Sequence, residues 1–154
     1  MSYGNKTKTS DTYPLRIDPI ILESDGMIGM TFCPGIKYPD GLTEYWHQDL
    51  EKDLNTIAQW DAKALITLIE DHEFVELHVL QLPAITRKLG IEWFHLPIRD
   101  ASTPEDTFEQ QWAEVGKIVH HLLDTGNKIV LHVRHLVPGD TSRRVRTAPS
   151  YPPA

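Results

Sequence analysis

Residues able to do chemistry are few in this chain, and they fall into separate groups. The sole thiol is Cys33, within Cys33-Pro34-Gly35. A thiolate is a strong nucleophile, but six positions onward stands Pro39, so no arginine closes an anion-binding loop behind it. The thiol also ends an apolar segment instead of opening a helix, which favours a small packed side chain. Glu70, Asp71, His72, Glu73 and His78 are metal-ligand types, yet they lack His-Glu-x-x-His spacing on a long helix. They read as polar residues leaving a buried strand. His120 and His121 are adjacent and cannot share a helix face, so they read as surface residues. Trp46, Trp60, Trp93 and Trp112 read as core or boundary anchors. Asp100, in a loop before Pro104, is a carboxylate placed to favour a following helix electrostatically.

The elements that must position these groups follow from hydrophobic period and turn chemistry. Residues 1–12 are polar and predict a loose N-terminus. Residues 16–22 and 27–32 predict two strands joined at Ser24-Asp25-Gly26. Within residues 45–60, Leu50, Leu54, Ile57 and Ala58 recur at helical intervals and predict an amphipathic helix. Residues 64–69 form a short apolar run, predicting a strand buried on both faces. Residues 79–89 predict a helix ended by Gly90, and residues 91–98 predict a strand. Thr103 before Pro104 predicts a helix start, with apolar positions running to Leu122 and a stop at Gly126. Residues 128–133 predict the last strand. Strands alternating with helices give an α/β fold with a mainly parallel central sheet flanked by helices. Chemistry in such sheets lies beyond the strands' carboxyl ends, which singles out the acids after Ile69, Asp100, and whatever follows Val133.

Charge divides the chain at that last point. The formal net charge of -7 comprises -10 over residues 1–133 and +3 over residues 134–154. The acidic body argues against a nucleic-acid partner. No apolar run approaches the roughly 20 residues that cross a bilayer, the opening residues lack the apolar stretch of a signal peptide, and one cysteine suits a reducing compartment. The expectation is a cytoplasmic protein with no membrane contact.

Four segments carry a resemblance: residues 28–37 (Ile-Gly-Met-Thr-Phe-Cys-Pro-Gly-Ile-Lys), residues 67–73 (Thr-Leu-Ile-Glu-Asp-His-Glu), residues 95–100 (His-Leu-Pro-Ile-Arg-Asp), and residues 128–132 (Lys-Ile-Val-Leu-His). Over residues 14–132 the chain resembles bacterial kinase-associated, cyclin-dependent kinase inhibitor 3-like phosphatases, members of the cysteine-dependent tyrosine and dual-specificity group. The resemblance implies hydrolysis of phosphate monoesters on phosphoproteins in two steps, without a cofactor or metal. Its signature is His-Cys, five residues, then Arg, where the last strand meets a helix. Backbone N–H groups cradle the phosphate and lower the thiol pKa, the Arg clamps phosphate oxygens, and a loop Asp protonates the leaving oxygen.

On that pattern Asp100 takes the general-acid position and His132 the signature histidine, with His132 and Arg134 bordering the binding loop. The nucleophile position holds Val133, and Gly139 stands where the Arg is required. Valine has no lone pair for attack and glycine no guanidinium, so the expectation is an incomplete phosphatase-like domain over residues 13–133, without hydrolase activity. Residues 134–154 contain four Pro and four Arg without apolar periodicity, predicting a disordered tail in place of the C-terminal helices. Loss of those helices predicts an exposed apolar patch on the sheet. Arg, Pro, Ala, Ser, Thr and Gly make up 15 of these 21 residues, as expected of a GC-rich frame misread after codon 132. The alternative is a non-catalytic interaction protein using the sheet face or the basic tail.

Overall fold

The computed structural model describes residues 7–38, 45–98 and 106–133. Its centre is a five-stranded sheet in the order β2-β3-β8-β6-β7. These strands are β2 (Asp18–Ile21), β3 (Met27–Thr31), β6 (Ala62–Thr67), β7 (Glu92–His95) and β8 (Lys128–His132). The β2–β3 pair is an antiparallel hairpin, whereas β3, β8, β6 and β7 run parallel. Asp25 at φ 70° makes the hairpin turn, and Leu22 N–H donates to Gly26 O at 2.8 Å. The expected α/β architecture is therefore present, with β6 buried on both faces.

A second, three-stranded sheet joins β1 (Thr7–Thr9), β5 (Tyr45–His47) and β4 (Lys37–Tyr38) in the order β1-β5-β4. Two expectations change here. Residues 7–9, read as part of a loose terminus, pair in parallel with β5, so their backbone groups are satisfied by a partner distant in sequence. The helix expected over residues 45–60 is confined to α1 (Leu50–Gln59). Asp49 is the reason: its carboxylate accepts the Lys52 N–H at 3.0 Å and caps the first turn, which fixes the helix start. Upstream, the Trp46 ring packs against Tyr13 and Phe32 with centroids 5.4 and 5.1 Å away, a role suited to a strand.

Helix α2 (Asp71–Glu76) lies where a polar strand exit was expected. Glu73 Oε1 accepts the Glu70 N–H at 2.9 Å, the backward half of a capping box. Helix α3 (Leu82–Lys88) starts later than residue 79. Pro83 sits in its first turn, where a missing N–H costs nothing. Strand β7 is shorter than residues 91–98, although Leu96 and Ile98 still donate N–H bonds to Thr67 and Leu68 carbonyls. Helix α4 (Asp106–Asp124) ends near Gly126 at φ 82°, and its expected start at Thr103 lies outside the described residues.

Alternation along the strands divides the core. One side gathers Leu65, Val130, Leu54, Ile57, Phe74, Leu77 and Leu82 from the sheet, α1, α2 and α3. The other gathers Ala64, Ile66, Ile129, Val119 and Leu123 under α4. At the centre of the sheet the expected bare face is not seen: Ala64, Ile66 and Ile129 are at most 1% exposed, packed with Val119 and Leu123 of α4 and with Leu68 and Leu96. Among the described residues the large exposed apolar side chains are Ile20 and Ile21 on the edge strand, and Val75, Leu80 and Ile118 on or beside helices.

Candidate active site

The parallel strands end together, and their last residues form one row. Thr31 is in register with His132, His132 with Thr67, and Thr67 with His95. Side chains in register share a face, so four polar residues cross β3, β8, β6 and β7 at the carboxyl edge. This is the edge at which open α/β sheets place their ligands.

Thr67 is the junction of the row. Its Oγ1 accepts the Trp93 Nε1–H at 2.8 Å and lies 2.8 Å from His132 Nε2. No further acceptor is within reach of the hydroxyl among the described residues, so its proton serves Nε2. That assignment leaves the His132 proton on Nδ1, which is buried without a hydrogen-bond partner, as is Thr31 Oγ1. Burial lowers the His132 pKa to about 3; the Val133 backbone opposes this in part, and His95 adds to it. The ring is therefore neutral near pH 7. His95 directs Nε2 at the Ile69 carbonyl at 2.7 Å and stacks on Trp93 with centroids 5.5 Å apart. A carbonyl only accepts, so His95 carries its proton on Nε2. Its Nδ1 lies 3.7 Å from Asp71 Oδ1 at the start of α2.

The loop after β3 frames the other end. Cys33 is fully buried and its Sγ lies 3.6 Å from the Pro34 carbonyl, so the only thiol is packed in the core. Gly35 takes φ 72°, and a Cβ there would lie 2.6 Å from Leu50 Cβ. Only glycine lets the loop approach α1 this closely.

The site residues expected from sequence are placed unevenly. His132 and Val133 stand together at the end of β8. Val133 is half-buried against the α4-side apolar cluster. Asp100 and Arg134 lie outside the described residues. Glu70, His72 and Glu73 offer ligand atoms within 4.8 Å of one another, but Glu73 Oε1 is already the acceptor for the Glu70 N–H and His72 lies 3.3 Å from Glu76. This geometry is that of a helix start. His120 Nδ1 lies 3.0 Å from Asp124 Oδ2 one turn on. The Thr31, Thr67, Trp93 and His95 contributions were missed; the available signal was a lone Thr closing the apolar run of β6, with Trp and His alternating along β7.

Comparisons with known proteins bear on this edge. A family described as Tc-R-P, polymorphic toxin system, DSP-PTPase phosphatase, matches residues 40–141. That span passes Val133 and runs beyond residue 132, where the resemblance read from sequence ended. No match is found among curated proteins. The crystal structure of kinase associated phosphatase carrying serine in place of its catalytic-site cysteine matches with TM-score 0.64 and 20% identity, covering 77% of this chain and 64% of that one. The chain thus spans less than two thirds of that structure, and the likeness is one of fold. The active form of Tk-PTP matches with TM-score 0.47 and 22% identity, over 68% of this chain and 55% of that one. Among the described residues no helix is long and apolar enough to cross a membrane.

Proposed function

The chain belongs to the DSP-PTPase phosphatase family of polymorphic toxin systems, and from that premise we propose that it is a phosphoprotein-phosphatase domain that does not hydrolyse phosphate monoesters in its present sequence. Val133 carries this reading. It follows His132 at the carboxyl edge of β8, where a signature cysteine is required, and its side chain packs with the α4-side apolar residues. A methyl-bearing side chain has no electron pair to attack phosphorus, and the buried Cys33 cannot replace it. Gly139, in the position of the phosphate-clamping Arg, removes the charge that would hold the substrate's oxygens.

Within this reading Asp100 occupies the general-acid position but meets no phosphoenzyme to form. In the sequence His132 and Arg134 flank the nucleophile position, and the row of Thr31, His132, Thr67 and His95 is the floor beside it. No cofactor is required by the chemistry, the substrate class is that of the family, phosphoproteins, and a reducing cytoplasmic setting suits the single cysteine. The test is an assay of the purified chain on an aryl phosphate, beside Asp100→Asn. Absence of turnover in both supports the reading; sustained turnover by the parent that Asp100→Asn abolishes refutes it. Translating the other two frames downstream of codon 132 examines the origin of the departure. A glycine-rich loop with Arg followed by helix-forming sequence in either frame identifies a frameshift.

A further inference from the structure

A buried polar cluster away from the row has a count of protons that does not close if its acid is ionised. Asp53, on α1, is 1% exposed. Its Oδ2 accepts the Gly35 N–H at 2.9 Å, and its Oδ1 lies 2.8 Å from Ser10 Oγ. Ser10 Oγ accepts the Asp49 N–H at 2.7 Å and lies 3.0 Å from Gln48 Oε1. The Gln48 amide is oriented by its Nε2–H, which donates to the Tyr13 carbonyl at 3.2 Å, so Oε1 must face Ser10. The Ser10 hydroxyl has one proton and three acceptors in reach: Gln48 Oε1, Asp53 Oδ1 and, at 3.4 Å, the Asp49 carbonyl, which the Asp53 N–H already serves at 2.9 Å. With Asp53 ionised, one fully buried acceptor goes unserved. With Asp53 neutral, its O–H donates to Ser10 Oγ, and Ser10 donates to Gln48. Every group is then paired.

The surrounding charges agree with the neutral form. Lys37, on β4, turns its ammonium to the Gln48 and Gly35 carbonyls at 2.8 and 3.4 Å rather than to the carboxyl. Lys52 is engaged by Asp11, and Asp49 adds negative charge nearby. Burial, foremost, raises the Asp53 pKa, and Asp49 adds to it; the Gly35 and Ser10 bonds and Lys37 act the other way.

We propose that this cluster is a proton-binding latch, in which protonated Asp53 ties the β1 segment, through Ser10, to α1 and to the loop after β3 at the candidate site's edge. Raising the pH transfers the Asp53 proton to solvent, strips Gln48 Oε1 of its donor, and leaves a buried charge that becomes hydrated only when the β1 segment lifts. The sign is fixed by the raised pKa: the latch is closed at low pH and opens as pH rises through the folded-state value. Such opening would expose the loop carrying Gly35 without disturbing the central sheet.

The test is hydrogen-exchange protection of the β1–β5 ladder amides between pH 3.5 and 8.5, a window that opens below the ordinary carboxylate value of 3.8, corrected for intrinsic exchange, in the full chain and in Asp53→Asn. Asn keeps the neutral pattern, with Nδ2–H toward Ser10 and Oδ1 toward Gly35. Protection in the parent is expected to fall by roughly tenfold, corresponding to about 1.4 kcal/mol, while the Asn variant stays level with pH. Equal pH dependence in the two overturns the proposal. Should the variant not fold, the carboxyl-carbon NMR titration of Asp53 in the parent decides: a midpoint above the usual carboxylate range supports the latch, and one within or below it overturns it.

Discussion

Replacing Thr67 by Val keeps a β-branched side chain at the end of β6 and removes only the hydroxyl that joins β6, β7 and β8. Two bonds go with it, from Trp93 Nε1 and to His132 Nε2, both 2.8 Å. A typical net hydrogen bond contributes about 0.5–1.5 kcal/mol, and a buried polar atom left without a partner costs about 1–3 kcal/mol. His132 is 0% exposed, so its Nε2 has no water to turn to. Trp93 is only half-buried and recovers part of its loss. The expected destabilisation is about 2–4 kcal/mol, a large share of the roughly 5–15 kcal/mol that holds a domain of this size. Thr67→Ser retains the hydroxyl and is expected to cost under about 1.5 kcal/mol, near the value of the deleted methyl. Urea unfolding followed by Trp fluorescence measures both, and a cycle with Trp93→Phe isolates the Thr67–Trp93 coupling, expected at about 0.5–1.5 kcal/mol. A Thr67→Val cost under about 0.5 kcal/mol, the level of an ordinary surface change, would refute the argument that this hydroxyl is the junction of the row.

Stability is also expected to fall with acid through His132. Its pKa drops from 6.5 to about 3 on folding, so its contribution is complete above pH 6.5 and is lost as pH falls from there toward 3. The integrated loss is roughly 5 kcal/mol at the bottom of that window, and His132→Gln removes that share of the slope in urea titrations run at stepped pH. Gly35→Ala places a Cβ against Leu50 at φ 72° and is expected to cost about 3 kcal/mol or more, through backbone strain and overpacking together; thermal melts read this directly. Val133→Cys supplies a thiol at the end of β8 but no phosphate clamp, so steady-state turnover of an aryl phosphate is expected to stay at background.

Much of the fold was legible because its signals are local. The all-apolar run in β6 and the 3.6-residue stripe of Leu54 and Ile57 each identify their own element. The failures arose where a long-range partner decides. Thr7–Thr9 are polar and carry no strand period; only pairing with β5 makes them a strand. Trp46 suits a helical face as well as a strand until Tyr13 and Phe32 are seen against it. Helix α2 hid because its short polar sequence resembles a loop, and the reciprocal capping of Glu70 and Glu73 is what closes it. At the site, the departure at Val133 was readable only by setting His132-Val133 beside the His-Cys signature that the resemblance implies. The hydrogen-bonded row was not, since Thr31, Thr67, His95 and His132 are brought together only by strand register.

Val133 in the nucleophile position decides whether this domain hydrolyses phosphate esters, and turnover of an aryl phosphate by the purified chain measures that directly. With valine there, no product is expected above the uncatalysed rate at any enzyme concentration. Product that accumulates in proportion to enzyme, over many turnovers, and disappears in Asp100→Asn would contradict it.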